Sequence, residues 1–137
     1  MAEGIFLHLL KKKGISHKWL VDSAGLVDWH KGKPPNERTK NVLKKNGITE
    51  YDHVARQVVE QDFKTFEYVF VMDHYNMEYV KQFVPKNNTA KISLLGIYDP
   101  QKQLIIHDPY CSHNPEVFDH LFEQCMRCCQ AFLNSLN

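Results

Sequence analysis

The sequence predicts an α/β fold in which a parallel sheet carries helices on both faces. Three observations predict it: short β-rich runs alternate with helical stretches, the helical stretches repeat apolar residues at helical spacing, and turn residues separate the two. Residues 2–13 carry Ile5, Phe6, Leu9 and Leu10 at that spacing, and Gly14 closes the helix. Trp19, Leu20 and Val21 form an apolar run that ends in Asp22-Ser23-Ala24-Gly25, which reads as a buried strand followed by a loop. That loop continues through Trp29, Gly32, Pro34 and Pro35, and residues 39–45 with Gly47 form a second helix. The run Tyr-Val-Phe-Val-Met at 68–72 is β-rich, and a helical stretch follows over 73–83. Residues 92–95 give another short strand and 104–106 an extended piece. Asn114-Pro115-Glu116 is an N-cap with proline at the first helical position, opening a last helix that runs nearly to Asn137. Function in such a sheet belongs to the loops beyond the carboxyl ends of the strands.

A chain of 137 residues fits one domain, 1–137, built on one core. The net charge is +1, with Lys and Arg mixed among Asp and Glu, so no broad basic face announces nucleic acid or an anionic membrane. Lys11, Lys12 and Lys13 are the only basic run, and they occupy the last turn of the first helix, where cations suit the negative end of the dipole. No window approaches the ~20 apolar residues of a membrane span, and no signal-peptide pattern opens the sequence. The expectation is a soluble, cytosolic (cytoplasmic) chain. Cys111, Cys125, Cys128 and Cys129 lie in the last quarter, the final three too close on one helical pattern for a disulfide framework, so reduced thiols are expected.

The loops hold the candidate chemistry. Trp29 is an apolar ring in a polar, proline-rich segment; it either walls a binding cleft or folds back as a packing lid. His107-Asp108-Pro109-Tyr110 places a carboxylate and a phenol beside a rigid turn, as a general acid would need and as a plain turn would also have. In Asp52-His53-Val54-Ala55-Arg56-Gln57 the histidine suits bracing a neighbouring loop and the arginine suits an anion, and both suit purely structural roles. Cys111, His113, Cys125 and Cys128 offer a set of zinc ligands, against which stands the amphipathic helix that makes the thiols small buried apolar groups. No metal and no cofactor is expected. There is no glycine-rich phosphate loop and no serine in a G-x-S-x-G setting.

Val21-Asp22-Ser23-Ala24, Gly32-Lys33-Pro34-Pro35, His53-Val54-Ala55-Arg56-Gln57, Leu94-Leu95-Gly96, the stretch Tyr98-Asp99-Pro100-Gln101-Lys102-Gln103-Leu104-Ile105-Ile106, Asp108-Pro109-Tyr110 and Gln124-Cys125-Met126-Arg127-Cys128-Cys129 occur in order across nearly the whole chain. Together they resemble the low molecular weight protein tyrosine phosphatases, also called cytosolic acid phosphatases. The resemblance implies that family's fold and a hydrolysis that runs through a cysteinyl phosphate. In it, a loop of cysteine, five residues and arginine attacks and cradles the phosphate. It implies Asp108 as the general acid, Trp29 and Tyr110 as the two walls around the substrate ring, and Ser23 and His53 as supports of the phosphate loop. The implied partners are phosphotyrosine proteins or small aryl phosphates, with no nucleic acid and no membrane.

Two departures accompany the resemblance. The family's nucleophile loop and first strand precede a segment like Met1-Ala2-Glu3, so the chain is expected to be N-terminally truncated, with the first strand missing from between residues 19–21 and 68–72. Cysteine and arginine of the loop are then both absent, and activity of the chain by itself is expected to be negligible. The alternative is a non-catalytic pseudophosphatase acting as a binding module, and a purely structural or metal-binding α/β domain is a third reading. Cys111 stands where many family members carry a second tyrosine.

Overall fold

The computed structural model describes residues 1–27, 31–110 and 112–136. The first helix, α1 (Ala2–Lys12), has Glu3 in its first turn and Lys11 and Lys12 in its last, each suited to the nearer pole of the helix. It stops in a Schellman motif: Gly14 takes φ +69°, its N–H bonds Lys11 C=O, and Ile15 N–H reaches back to Leu10 C=O. α2 (Glu37–Lys45) begins two residues earlier than the periodicity predicts, because the Asn36 side chain accepts Arg38 N–H at 2.8 Å and caps it. A short α3 (Asp62–Thr65) precedes β1 (Tyr68–Val71), and α4 (His74–Lys81), capped by Asp73, leads to β2 (Lys91–Leu94). The long α5 (Glu116–Ser135) starts beneath Asn114, whose side chain accepts Glu116 N–H at 3.0 Å, as the sequence signature predicts.

β1 and β2 are parallel, in the register Val69↔Ile92 and Val71↔Leu94. Alternation of side chains then sorts the two faces. Val69, Val71, Ile92 and Leu94 pack with Phe63 of α3 and Val80 of α4. Phe70 and Met72 turn to the other face, against the larger core where α1, α2 and α5 meet around Ile5, Leu10, Leu43, Phe118 and Cys125. Phe132 of α5 is 1% exposed and stands at the centre of an aromatic cluster, 4.9 Å from the rings of Tyr68 and Phe70 and 5.2 Å from Tyr98. Helices therefore cover both faces of a parallel sheet, as expected.

The strand expected at 19–21 is not formed. Trp19 is extended (φ −127°, ψ 137°), yet among the described residues the only ladder contact of this segment is an isolated parallel bridge, Gly25↔Gln57. A strand needs a partner for its peptide groups, and beside residues 20–22 lies open space of about 820 Å³ instead of a neighbouring strand. The 104–106 piece likewise forms no ladder, although Ile106 N–H bonds Met72 C=O at 2.9 Å and so lies beside the end of β1. No described helix is long and apolar enough to cross a membrane.

Candidate functional site

Three segments meet at the carboxyl end of the sheet. Ser23 follows residues 19–22, Met72 follows β1, and Glu3 stands in the first turn of α1; all three border the 820 Å³ slot. The slot runs between residues 18–26 on one side and 65–72 on the other, with Phe132 of α5 among its lining. Lys91 N–H bonds Glu67 C=O, so in the parallel ladder the odd residues of β1 face β2 and the even residues, Tyr68 and Phe70, direct their peptide groups into the slot. Those groups, and the peptide groups of Leu20 and Val21 on the far wall, have no hydrogen-bond partner among the described residues.

At the slot's end Glu3, nearly buried, gathers a network on one oxygen. Its Oε2 accepts Ser23 Oγ–H at 2.5 Å and Tyr51 O–H at 2.9 Å, and lies 3.1 Å from His53 Nδ1. His53 Nδ1 is also 3.5 Å from Asp22 Oδ1, so both neighbours of this nitrogen are carboxylate acceptors. Nε2 faces Ser23 Oγ at 3.4 Å, and Tyr51 stacks parallel to the imidazole. Burial, and then the Glu3 carboxylate, push the Tyr51 phenol far above its ordinary pKa, so it stays a donor. The serine and histidine singled out from sequence are thus brought together. Glu3 and Tyr51, which join them, were not singled out; their signal lies in separations of 20 and 48 residues that no local pattern spans.

Arg56 is engaged by carboxylates of the chain itself. Its guanidinium holds Asp62 with two bonds, 2.9 and 3.0 Å, and Asp22 with a third at 2.8 Å, tying α3 to the loop after residue 22. Burial alone would raise the Asp22 pKa; the bonds from Arg56 and from Ser23 N–H outweigh it and hold the carboxyl below its ordinary value. Donor atoms of Glu3, Asp22 and His53 lie within 4.8 Å of one another, the closest approach to a metal-ligand set among the described residues. They are already engaged with Ser23, Tyr51 and Arg56.

The second part of the site is the loop after Ile106. Gly96 permits it to pass: a Cβ there would stand 2.0 Å from Leu104 O, closer than any side chain allows. Gln124 of α5 donates to the carbonyls of Gln103 and Ile105, and Arg127 grips the buried Asp99 with two bonds of 2.9 and 3.0 Å. The chain so guided delivers Asp108, exposed to solvent, whose Oδ1 accepts Tyr110 N–H at 3.0 Å in an Asx turn. Tyr110 is 57% exposed beside it. Trp29 and Cys111 lie outside the described residues.

The described cysteines are not nucleophiles of this site. Cys125, Cys128 and Cys129 are buried in α5; burial pushes the first two thiols up to about 12 and about 11, and the third further still. A thiolate nucleophile needs the opposite shift, from cationic or helix-end surroundings. Burial in the apolar helix face also removes Cys125 and Cys128 from any exposed zinc set. What the arrangement offers is an exposed carboxyl on a stiff turn, and a hydrogen-bonded network whose Glu3 and Ser23 border the slot.

Comparison with known proteins agrees with this geometry. The whole chain, residues 1–137, matches the family described as low molecular weight phosphotyrosine protein phosphatase. It is 46% identical over 135 residues to the chicken protein of that name, a match that covers 97% of this chain and 84% of the relative. A crystal structure of a protein tyrosine phosphatase from Entamoeba histolytica superposes with a TM-score of 0.91 at 26% identity, covering 98% of this chain and 86% of that one. The crystal structure of a Drosophila arginine phosphatase superposes at 0.89 with 35% identity, covering 99% and 88%. Sequence across its full length and fold thus point the same way, and the chain belongs to the low molecular weight phosphotyrosine protein phosphatases.

Proposed function

We propose that this chain is the larger part of a protein tyrosine phosphatase, a single phosphatase-like domain whose nucleophile loop lies upstream of Met1 and whose general acid is Asp108. One observation carries the reading: a slot with unpaired peptide edges on both walls is bordered by Ser23 and Glu3 of the Ser23–His53–Glu3 network and by Met72, whose C=O holds Ile106 of the segment that leads to Asp108. A strand running parallel to β1 would pair both edges, leave the slot at its carboxyl end and enter α1, whose first turn stands there. A cysteine and arginine loop between that strand and α1 would lie at the amino end of α1, where helix dipole and N–H groups favour a phosphate and a thiolate.

In the mechanism, the thiolate attacks the phosphorus of an aryl phosphate and the bond to the phenolic oxygen breaks. Asp108 gives its proton to the departing phenolate, then takes one from the water that hydrolyses the cysteinyl phosphate. Ser23 and His53 brace the loop, and Trp29 and Tyr110 flank the substrate ring. Substrates are phosphotyrosine proteins or small aryl phosphates, no metal or cofactor takes part, and the reduced buried thiols fit a cytoplasmic setting. By itself the chain is inactive, since neither nucleophile nor anion cradle is present among its described residues.

The test is hydrolysis of p-nitrophenyl phosphate at mildly acidic pH by three proteins. These are this chain, the chain preceded by the residues that come before the matching region in the chicken relative, and the Asp108→Ala form of that extended chain. Activity confined to the extended form, and slowed by Asp108→Ala, supports the proposal. An inactive extended form supports the pseudophosphatase reading, in which the cleft serves binding alone.

A further inference from the structure

The brace on the Asp108 loop has a part that neither motif nor strand order supplies. Arg38, in the first turn of α2, reaches across to the residues just after Asp108. Its Nη2 donates to Tyr110 C=O at 3.1 Å and its Nη1 to Ser112 C=O at 2.5 Å, while the flat guanidinium lies 4.6 Å above the ring of Phe118 in α5. Among the described residues it pairs with no carboxylate, so its charge is spent on two main-chain carbonyls of a single loop. The same loop is closed by Ser112 N–H on Pro109 C=O at 3.0 Å and by Tyr110 N–H on the Asp108 carboxylate, so a grip on residues 110 and 112 fixes where that carboxylate points. The arginine is itself fixed at its root: its own N–H donates to the capping side chain of Asn36, which follows Pro34-Pro35.

We propose that Arg38 is the positioning residue of the general acid, acting on Asp108 through the carbonyls of Tyr110 and Ser112, and that it couples the proline-rich loop before α2 to the acid loop. The inference rests on the function proposed above. Only a planar fork serves here, since it bridges two carbonyls two residues apart while its face stacks on Phe118; a lysine ammonium does one of these at a time. A displacement of about 1 Å in a proton donor costs on the order of a hundredfold in rate. That cost falls on steps that need the proton. Phenyl phosphate has a poor leaving group and needs it; the dinitrophenolate of a dinitrophenyl phosphate departs as a stable anion and does not.

The experiment measures kcat and KM of the extended chain with both substrates in the wild-type, Asp108→Ala, Arg38→Ala and Arg38→Lys forms and in the Asp108→Ala/Arg38→Ala double variant. Arg38→Ala is expected to lower kcat/KM, which reports phosphoryl transfer to the cysteine and not the shared hydrolysis of the phosphoenzyme, by about tenfold to a hundredfold for phenyl phosphate and by less than about threefold for the dinitrophenyl ester. Arg38→Lys, which keeps the charge on the helix, is expected to show the same leaving-group pattern, and in the Asp108→Ala background loss of Arg38 is expected to add less than about twofold. If Arg38→Ala does not fold, Arg38→Lys decides the matter. Equal loss on both esters, full activity, or full additivity with Asp108→Ala overturns the inference while leaving the role of Asp108 intact. An inactive extended wild type, or an Asp108→Ala form as active as wild type, overturns the underlying reading and this one with it.

Discussion

Replacing Asp99 by Asn isolates the contact that steers the chain from β2 towards Asp108. The Asp99 carboxylate is wholly buried and receives Arg127 Nε–H at 2.9 Å, Arg127 Nη2–H at 3.0 Å and Gln101 N–H at 2.9 Å. Asparagine keeps the shape and one acceptor, so the loss is confined to the charge-assisted part of two bonds, worth about 1.5–3 kcal/mol each. Arg127 is 21% exposed and regains water on release, which trims the sum. A loss of about 2–4 kcal/mol at neutral pH is expected, at or just below the range for breaking a buried pair. Urea unfolding followed by tryptophan fluorescence, repeated as pH is lowered, reads it. The bonds from Arg127 hold Asp99 below the ordinary carboxylate value against the opposing effect of burial. The folded pKa therefore lies below the unfolded one of ~3.9, and the pair's contribution is present above ~3.9 and lost as pH falls through the folded value. The gap between wild type and Asp99→Asn is thus constant near neutrality and closes in acid. A gap under about 0.5 kcal/mol at neutral pH, or one that widens in acid, refutes the argument.

Three further outcomes follow from the packing. Gly96→Ala sets a methyl group 2.0 Å from the Leu104 carbonyl, backbone that cannot swing aside, and is expected to cost about 3 kcal/mol in urea unfolding; an unchanged midpoint means that the close approach is not there. Phe132→Ala removes the ring shared by Tyr68, Phe70 and Tyr98 and is expected to cost about 3–5 kcal/mol, with Phe132→Leu losing clearly less in the same assay. In a Cys111→Ser background, a disulfide reagent at neutral pH is expected to leave Cys125, Cys128 and Cys129 unlabelled over minutes and to label all three at once in denaturant. Rapid labelling of the native protein contradicts their burial.

Legibility in the sequence divides along a physical line. Helix α1, with its glycine stop, and α5, with its asparagine cap, are written in neighbouring residues, and so were readable. Periodicity alone missed the first turn of α2, which depends on a side-chain cap at Asn36, and α3, which is one turn long and held by Arg56. The run at 19–21 has the composition of a strand but not the neighbour that makes one, a fact about its surroundings and not about its residues. At the site, Asp108 could be read from an Asp-Pro turn and a family likeness. Glu3, Tyr51 and Arg38 act across separations of 20 to 74 residues, where only the fold brings partners together.

The outward edge of β1 bears on how the chain behaves in company. Tyr68 and Phe70 offer peptide donors and acceptors beside aromatic side chains, without the lysine, proline or bulge that blunts most sheet edges. Two such chains that meet edge to edge gain the ladder that each lacks, so self-association competes with every other occupant of the slot. Soluble recovery of the chain alone is therefore expected to fall with protein concentration, and to improve with any ligand or covalent extension that fills the edge first.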